Sequence, residues 1–249
     1  PMVKEKNNNL QILKPKLSLK IGPNFMKDLS KSDGNRLDVD NIFNLDRLAE
    51  NDTLEGGTSL TLGNDFTISD KDKNLEIFEI KLANSIRFEE NDDLPKSNQL
   101  GSKNSNFFGE ISFKPNQILY TKYNVSTKNS LTDVNYENFT AEISINNFVT
   151  TFDYLNENNT SDTKSYLTNT TKLSLNNSNS IQFSTRENKS SNLTEYYNLM
   201  YEYKNDCLAA SIEYNKDYYD DRDIKPEENL FFKLTIIPFG ETSSPNLKK

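Results

Sequence analysis

Between residues 196 and 236 the chain alternates apolar and polar side chains with a period of two, in three successive stretches. Tyr197, Leu199, Tyr201 and Tyr203 share one face of the first, while Asn198, Met200, Glu202 and Lys204 share the other. After Asn205-Asp206 the rhythm resumes, with Leu208, Ala210, Ile212 and Tyr214 on one side and Cys207, Ala209, Ser211, Glu213 and Asn215 on the other. A third stretch opens at Asn229, with Leu230, Phe232, Leu234 and Ile236 in one row and Lys233 and Thr235 facing away. Period two is the pattern of a strand with two unlike faces. Each stretch has about the 9–11 residues that cross a bilayer when tilted. The pattern therefore predicts amphipathic transmembrane strands.

The same rhythm extends upstream. Short turns are expected at residues 70–74, at Pro115-Asn116, at Asn146-Asn147, at residues 176–179 and at Asn205-Asp206. Most are spaced by roughly 30 residues, enough for two strands and one longer loop. Longer polar stretches fall between them, at residues 89–106, 128–133, 156–162, 187–192 and 217–228. Residues 75–88 read as one overlong strand. Short turns on one side and long loops on the other are the plan of an outer-membrane barrel. The expected fold is all-β, an antiparallel up-and-down transmembrane β-barrel with about 11–12 strands in this chain. Residues 1–249 read as one barrel segment, with an extracellular-type loop at 40–57, regular hairpins over 58–238 and a tail at 239–249. By loop length, the short turns face the periplasm and the long loops face outward.

Composition narrows the alternatives. Only 34% of the residues are hydrophobic and the mean hydropathy is −0.78, yet 11% are aromatic. Apolar residues are thus alternated rather than clustered, and no run approaches the 18 or more needed for a spanning helix. A soluble β-sandwich or β-solenoid also alternates and stays open on pattern alone, although sandwich strands are usually nearer five or six residues. The net charge of −8 argues against nucleic acid as a partner, which needs a basic patch. With no His, a His-based triad or metal site is excluded, and with no Trp any interfacial belt must be Tyr and Phe. The single Cys207 cannot form a disulfide within the chain. The opening ten residues lack an apolar signal-peptide core, so the sequence reads as a mature or truncated piece.

Asparagine is abundant, which suits base-composition bias and also tight turns, since Asn tolerates positive φ. Asn124-Val125-Ser126, Asn138-Phe139-Thr140 and Asn169-Thr170-Thr171 match the glycosylation pattern but lie inside expected strands. Asp220, Asp221 and Asp223 lack the Gly and the spaced Glu of a calcium loop and read as an acidic loop pinned by Arg222. Glu89, Glu90, Asp92 and Asp93 read as a solvated charge run. No catalytic constellation, cofactor site or metal site is expected, and neither is enzyme activity.

Three stretches resemble the lipopolysaccharide-assembly outer-membrane family LptD, also called OstA or organic solvent tolerance protein. Asn41-Ile42-Phe43-Asn44-Leu45-Asp46-Arg47-Leu48 followed by Asn51-Asp52-Thr53-Leu54-Glu55-Gly56-Gly57-Thr58 resembles the family's Phe-x-x-x-Arg and Asp-x-x-Glu-x-Gly pattern ahead of a strand. Asp93-Leu94-Pro95 through Phe107-Phe108-Gly109 resembles the loop before the next strand pair. Tyr201-Glu202-Tyr203-Lys204-Asn205-Asp206-Cys207 with Asp220-Asp221-Arg222-Asp223-Ile224-Lys225-Pro226 resembles the family most specifically.

The resemblance implies the C-terminal half of a larger barrel in the outer membrane of a Gram-negative bacterium. Such barrels receive lipopolysaccharide from periplasmic bridge proteins, hold an LptE-type plug lipoprotein, and release the lipid into the outer leaflet through a lateral opening. Cys207 then matches a cysteine that pairs with the N-terminal portion, so a structural disulfide is implied. The stretch carrying Leu230, Phe232, Leu234, Ile236 and Pro238 becomes the closing edge of the gate, with the apolar row on outer-membrane lipid and Lys233 and Thr235 in the lumen. Pro238 ends pairing there, because proline cannot donate to a ladder. The competing expectations are a general porin, which would normally end on an aromatic residue, and a secreted β-sandwich adhesin.

Overall fold

The computed structural model describes residues 1–249 except 7, 33, 49–51, 129–130, 159–162, 219–224, 237–239, 244–246 and 249, and only the backbone of 240–243 and 247–248. All its strands join one antiparallel sheet, the first fourteen in chain order and the fifteenth beside the thirteenth. They are β1 (Met2–Lys6), β2 (Asn9–Lys20), β3 (Ser59–Asp70), β4 (Leu75–Arg87), β5 (Phe107–Phe113), β6 (Leu119–Thr127), β7 (Val134–Ile145), β8 (Phe148–Asn158), β9 (Thr163–Ser174), β10 (Asn179–Asn188), β11 (Leu193–Lys204), β12 (Leu208–Asp217), β13 (Glu228–Ile236), β14 (Gly240–Ser243) and β15 (Leu247–Lys248). The only helix among the described residues is a single 3-10 turn, Asn41–Phe43. The fold is thus the up-and-down antiparallel wall of a barrel, with β1 pairing only β2 and the sheet not closed on itself.

Connections alternate between short and long as far as β8, whereas β9 to β10 and β10 to β11 are each joined by four residues, and the long stretch expected at 187–192 is shortened because Glu187 and Asn188 belong to β10. The short ones lie between β1 and β2, β3 and β4, β5 and β6, β7 and β8, β9 and β10, and β11 and β12, and all but the first fall where the sequence places a turn. Asparagine builds them in two ways. Asn8, Asn74 and Asn146 take positive φ of 68°, 47° and 53°, the left-handed region that a short polar side chain tolerates. Asn176 and Asn205 instead use Oδ1 to accept two backbone N–H groups ahead of them, from Ser178 and Asn179 and from Cys207 and Leu208. Such side-chain turns replace a backbone turn.

Four strands lie where the sequence reading placed none. β1 and β2 occupy residues upstream of the expected hairpins, and β14 and β15 lie in the stretch read as a tail. In consequence β13 is not the outermost strand. Its far side carries β14 along Lys233 to Ile236 and β15 at Asn229 and Leu230. Pro238, assigned to that edge, lies outside the described residues.

The chain divides into two compact units, Pro1–Asn116 with Tyr120–Phe139 and Asn156–Thr163, and Gln117–Leu119 with Thr140–Leu155 and Lys164–Lys249. In the second unit the register lines up Phe183, Leu199, Tyr214 and Leu230 across four strands, and beside them Ile181, Tyr201, Ile212 and Phe232. The opposite face carries Ser184, Asn198, Asn215 and Asn229, and Ser180, Glu202, Ser211 and Lys233. Leu199, Ile212 and Phe232 are 48%, 49% and 47% exposed, so the apolar face is the uncovered one. A soluble sandwich does the reverse.

The first unit repeats the arrangement. Leu13, Phe66, Ile80, Ile111 and Tyr123 form one cross-strand row on the apolar face, whereas Lys14, Asp65, Lys81, Glu110 and Asn124 form one on the polar face. A one-residue slip would exchange the two faces completely, so this register is strongly specified.

Candidate functional site

The polar face of β2 to β5 is covered by two connections, residues 21–58 and 88–106. Their apolar side chains make the unit's small core: Leu29, Leu37, Val39, Ile42, Leu48, Leu94 and Leu100, packed on Ala83 and Phe108 of the sheet. The two connections also bond to each other, through Leu29 N–H to the Asp93 carbonyl at 2.7 Å and Asn91 Nδ2 to Asn24 Oδ1 at 3.1 Å. A connection of this length that orders itself on a scaffold is a usual carrier of function.

Phe43 seats the first connection on the sheet at Gly63. A Cβ on Gly63 would come within 2.6 Å of the Phe43 ring and 2.9 Å of the Leu82 carbonyl. Only glycine lets the ring approach the strand so closely.

Beside this contact lies a buried ionic clamp centred on Glu55. Its Oε2 accepts from Arg47 Nε at 2.7 Å and from Lys20 Nζ at 3.1 Å, and its Oε1 accepts from Arg87 Nη2 at 2.5 Å and from Arg47 Nη2. Arg47 and Arg87 are each 2% exposed. Their remaining donors are taken up: Arg47 reaches Ser59 and Ser85 at 3.0 Å, and Arg87 bonds the carbonyls of Leu100 and Gly56 at 2.7 Å. Burial pushes the Glu55 carboxyl up, but the hydrogen bonds and charge of Arg47, with the charges of Lys20 and Arg87, outweigh it and hold the group below the usual carboxylate range. Gly57, at φ +88°, leaves room for Arg87, whose Nη1 would lie 2.5 Å from any Cβ there. The clamp therefore ties both connections to β2, β3 and β4.

Below it the polar face carries charges of alternating sign. Lys16 pairs with Asp65 at 2.7 Å, Lys81 with Glu110 at 3.2 Å and Glu79 at 3.4 Å, and Lys122 with Glu110 at 2.9 Å. Asp40 of the covering connection meets Lys81 at 3.5 Å. The face is charged yet locally balanced, and suits a wet interior rather than hydrocarbon.

Phe43, Arg47, Glu55 and Gly57, singled out in the sequence by a motif, come together here with Leu94 and Phe108 of the second motif. Lys20 and Arg87 were missed. Their available signal was position: Arg87 continues the row Ala83, Ser85 on β4, which alternation turns toward the polar face. Glu89, Glu90, Asp92 and Asp93 belong to the second covering connection, and Asn91 and Leu94 among them are buried. Asp220, Asp221, Arg222 and Asp223 lie outside the described residues. Asn124, Asn138 and Asn169 stand within β6, β7 and β9. Leu230, Phe232, Leu234 and Ile236 are in register with Tyr214, Ile212, Ala210 and Leu208 of β12. Cys207 is an exposed free thiol that closes the turn before β12 instead of opening the strand.

An antiparallel sheet with an uncovered apolar face and a charged, segment-lined polar face is the wall of an outer-membrane-type β-barrel. A model of the LptD family, described as LPS transport system D, matches residues 1–186 of the 249. The chain belongs to that family, whose role is lipopolysaccharide transport. The match contains the clamp and both covering connections. It ends before the Tyr201 to Cys207 motif, so that resemblance stands apart from it. No curated protein matches the chain.

Proposed function

We propose that this chain forms part of a barrel wall in the outer membrane of a Gram-negative bacterium and takes part in inserting lipopolysaccharide into the outer leaflet. The observation that carries the reading is the division of one sheet into two faces. The apolar rows match acyl chains and lipid, and the balanced charges of the other face match a hydrated sugar and phosphate headgroup crossing a lumen. Residues 21–58 and 88–106, clamped on that polar face, narrow the passage on the extracellular side. The short turns face the periplasm. An LptE-type lipoprotein would fill the remaining lumen, and bridge proteins would supply the lipid.

The lateral opening lies at the β13 to β15 end of the sheet. Support for this is that, among the described residues, β14 and β15 together pair with six residues of β13, whereas β12 pairs with nine. Fewer ladder bonds leave that edge easier to part. Leu230, Phe232, Leu234 and Ile236 would then meet lipid. Cys207, exposed beside a periplasmic turn, would form a disulfide to a cysteine elsewhere in the longer protein, in a compartment that favours such bonds.

The test is cell-surface lipopolysaccharide in cells whose own transporter is depleted and replaced by the full-length protein. Restored export supports the reading. A cysteine pair locking β13 to β14 should abolish it, and export that continues through the locked barrel removes the gate. Identical gel migration with and without reductant, together with free alkylation of Cys207, removes the disulfide.

A further inference from the structure

A second feature of the first unit lies outside the clamp. Where the two covering connections meet the start of β7 there is a cavity of about 230 Å3, room for roughly eight waters and below the roughly 300–1,000 Å3 of most pockets for drug-sized ligands. Most of its lining side chains carry an amide, hydroxyl or charged group, with Leu37 and the Tyr136 ring adding apolar surface.

The polar groups are held in place and are rich in unmet acceptors. Asn98, 7% exposed, donates Nδ2 to the Asn35 carbonyl at 2.7 Å, and Asn135, 6% exposed, donates Nδ2 to the Ser97 carbonyl at 3.0 Å. These bonds fix both amides, and among the described residues neither Oδ1 accepts a hydrogen bond. Behind the wall, the fully buried Asn106 donates to Ser126 Oγ at 3.0 Å while its own Oδ1 has no partner. Among the described lining residues the one cation is already engaged: Arg36 lies 4.3 Å over the Tyr136 ring and pairs with Glu157 at 3.2 Å.

Lining acceptors without donors call for a ligand that brings hydrogen-bond donors. A phosphate brings mainly acceptors and net negative charge, and would meet a neutralised Arg36 beside a carboxylate. A polyol brings hydroxyl donors in several directions and needs no net charge. We propose that this cavity is a saccharide subsite that takes one sugar ring of the transported glycolipid, held by the carbonyl oxygens of Asn98 and Asn135 and by the Arg36–Glu157 pair. The assignment rests on the lipopolysaccharide reading above.

The experiment uses the full-length protein in cells, with a photo-crosslinking residue at Asn35 on the cavity rim or at Ser112 on the open polar face. The expected result is lipopolysaccharide adducts at both positions, with the adduct at 35 falling at least tenfold in cells whose lipopolysaccharide lacks its core sugars and the adduct at 112 persisting. Adducts at 112 but none at 35, or an adduct at 35 indifferent to the sugars, overturns the subsite and leaves the transport reading intact. Absence of adducts at both overturns the transport reading itself. With purified protein in detergent, equilibrium dialysis against delipidated core oligosaccharide should show binding that Asn135→Leu and Glu157→Gln each weaken about tenfold, while inorganic phosphate does not compete. Competition by phosphate, or binding unchanged in both variants, refutes the saccharide assignment. Glu157→Gln keeps the side-chain shape, so folding is preserved in at least one variant.

Discussion

At the scale of single residues, Glu55 has the largest leverage. One carboxylate compensates Lys20, Arg47 and Arg87, two of them buried. Breaking a buried ionic group by removing one partner typically costs about 3–5 kcal/mol, because the remaining charges stay uncompensated. Glu55→Gln should therefore lower stability by about that amount and expose residues 21–58 to protease, read from the denaturant midpoint and from the cleavage map. The pH dependence has a definite sign. Glu55 titrates below its ordinary value of 4.5 in the folded chain, so its contribution is complete above that value and is lost as pH falls through the folded pKa. Protection of residues 21–58 should hold from neutral pH down to that value and then decline. In Glu55→Gln that decline should be absent. Gly63 acts by lacking a side chain: Gly63→Val should unseat Phe43 and cost about 1–3 kcal/mol, as overpacking does. Partial recovery by thermal melting in the Gly63→Val, Phe43→Ala double variant would confirm the contact, the remaining loss coming from the Leu82 carbonyl.

Strands and turns obey more local rules. The five positions from Asn8 to Asn205 show why asparagine is abundant at the short connections: three adopt positive φ and two cap the turn with Oδ1. Base composition supplies the residue, and the turns use it. β13 offers the sharpest test of register. Leu234 faces Ala210 in the apolar row and Thr235 faces Ala209 in the other. An arginine on the lipid side near the bilayer midplane costs about 2–4 kcal/mol, and on the lumen side much less. Leu234→Arg should thus lose that amount in refolding into lipid vesicles while Thr235→Arg stays near the parent; equal tolerance would place the faces the other way round. β1 and β2 escaped pattern reading for physical reasons. All five residues of β1 are exposed and three are charged, so it has no apolar row to find. β2 contains Pro15, which normally marks an end or edge. The structure reconciles this, because β1 pairs only with Asn9 to Leu13 and stops short of Pro15. Beyond that point β2 is an edge on that side.

For the whole molecule, an uncovered apolar face should make the folded protein depend on detergent or lipid. Light scattering after detergent removal should show aggregation, and a monomer soluble without detergent would contradict the membrane assignment. Topology is checked in intact cells carrying Cys207→Ser and one new cysteine. A cysteine at Leu131, in the long connection between β6 and β7, should label from outside, and one at Asn147 should not. The reverse result would invert the chain in the membrane. How much of this was legible follows from the range of each interaction. Alternation and turn chemistry act within a few residues, so the two faces, the antiparallel order from β3 to β13 and the short turns could be read from sequence. The motif at Phe43, Arg47, Glu55 and Gly57 was also visible, but as a resemblance without a cause. Its cause is non-local. Arg87 stands 32 residues beyond Glu55 and closes the clamp only after β3 and β4 have paired, and the cavity near Asn98 and Asn135 draws on segments from residue 34 to residue 157. From β3 to β13, sequence alone determined which side of a strand is apolar, because successive side chains in a strand point to opposite faces. Only the tertiary structure decided what covers the polar side, because those contacts join residues that no short-range pattern connects.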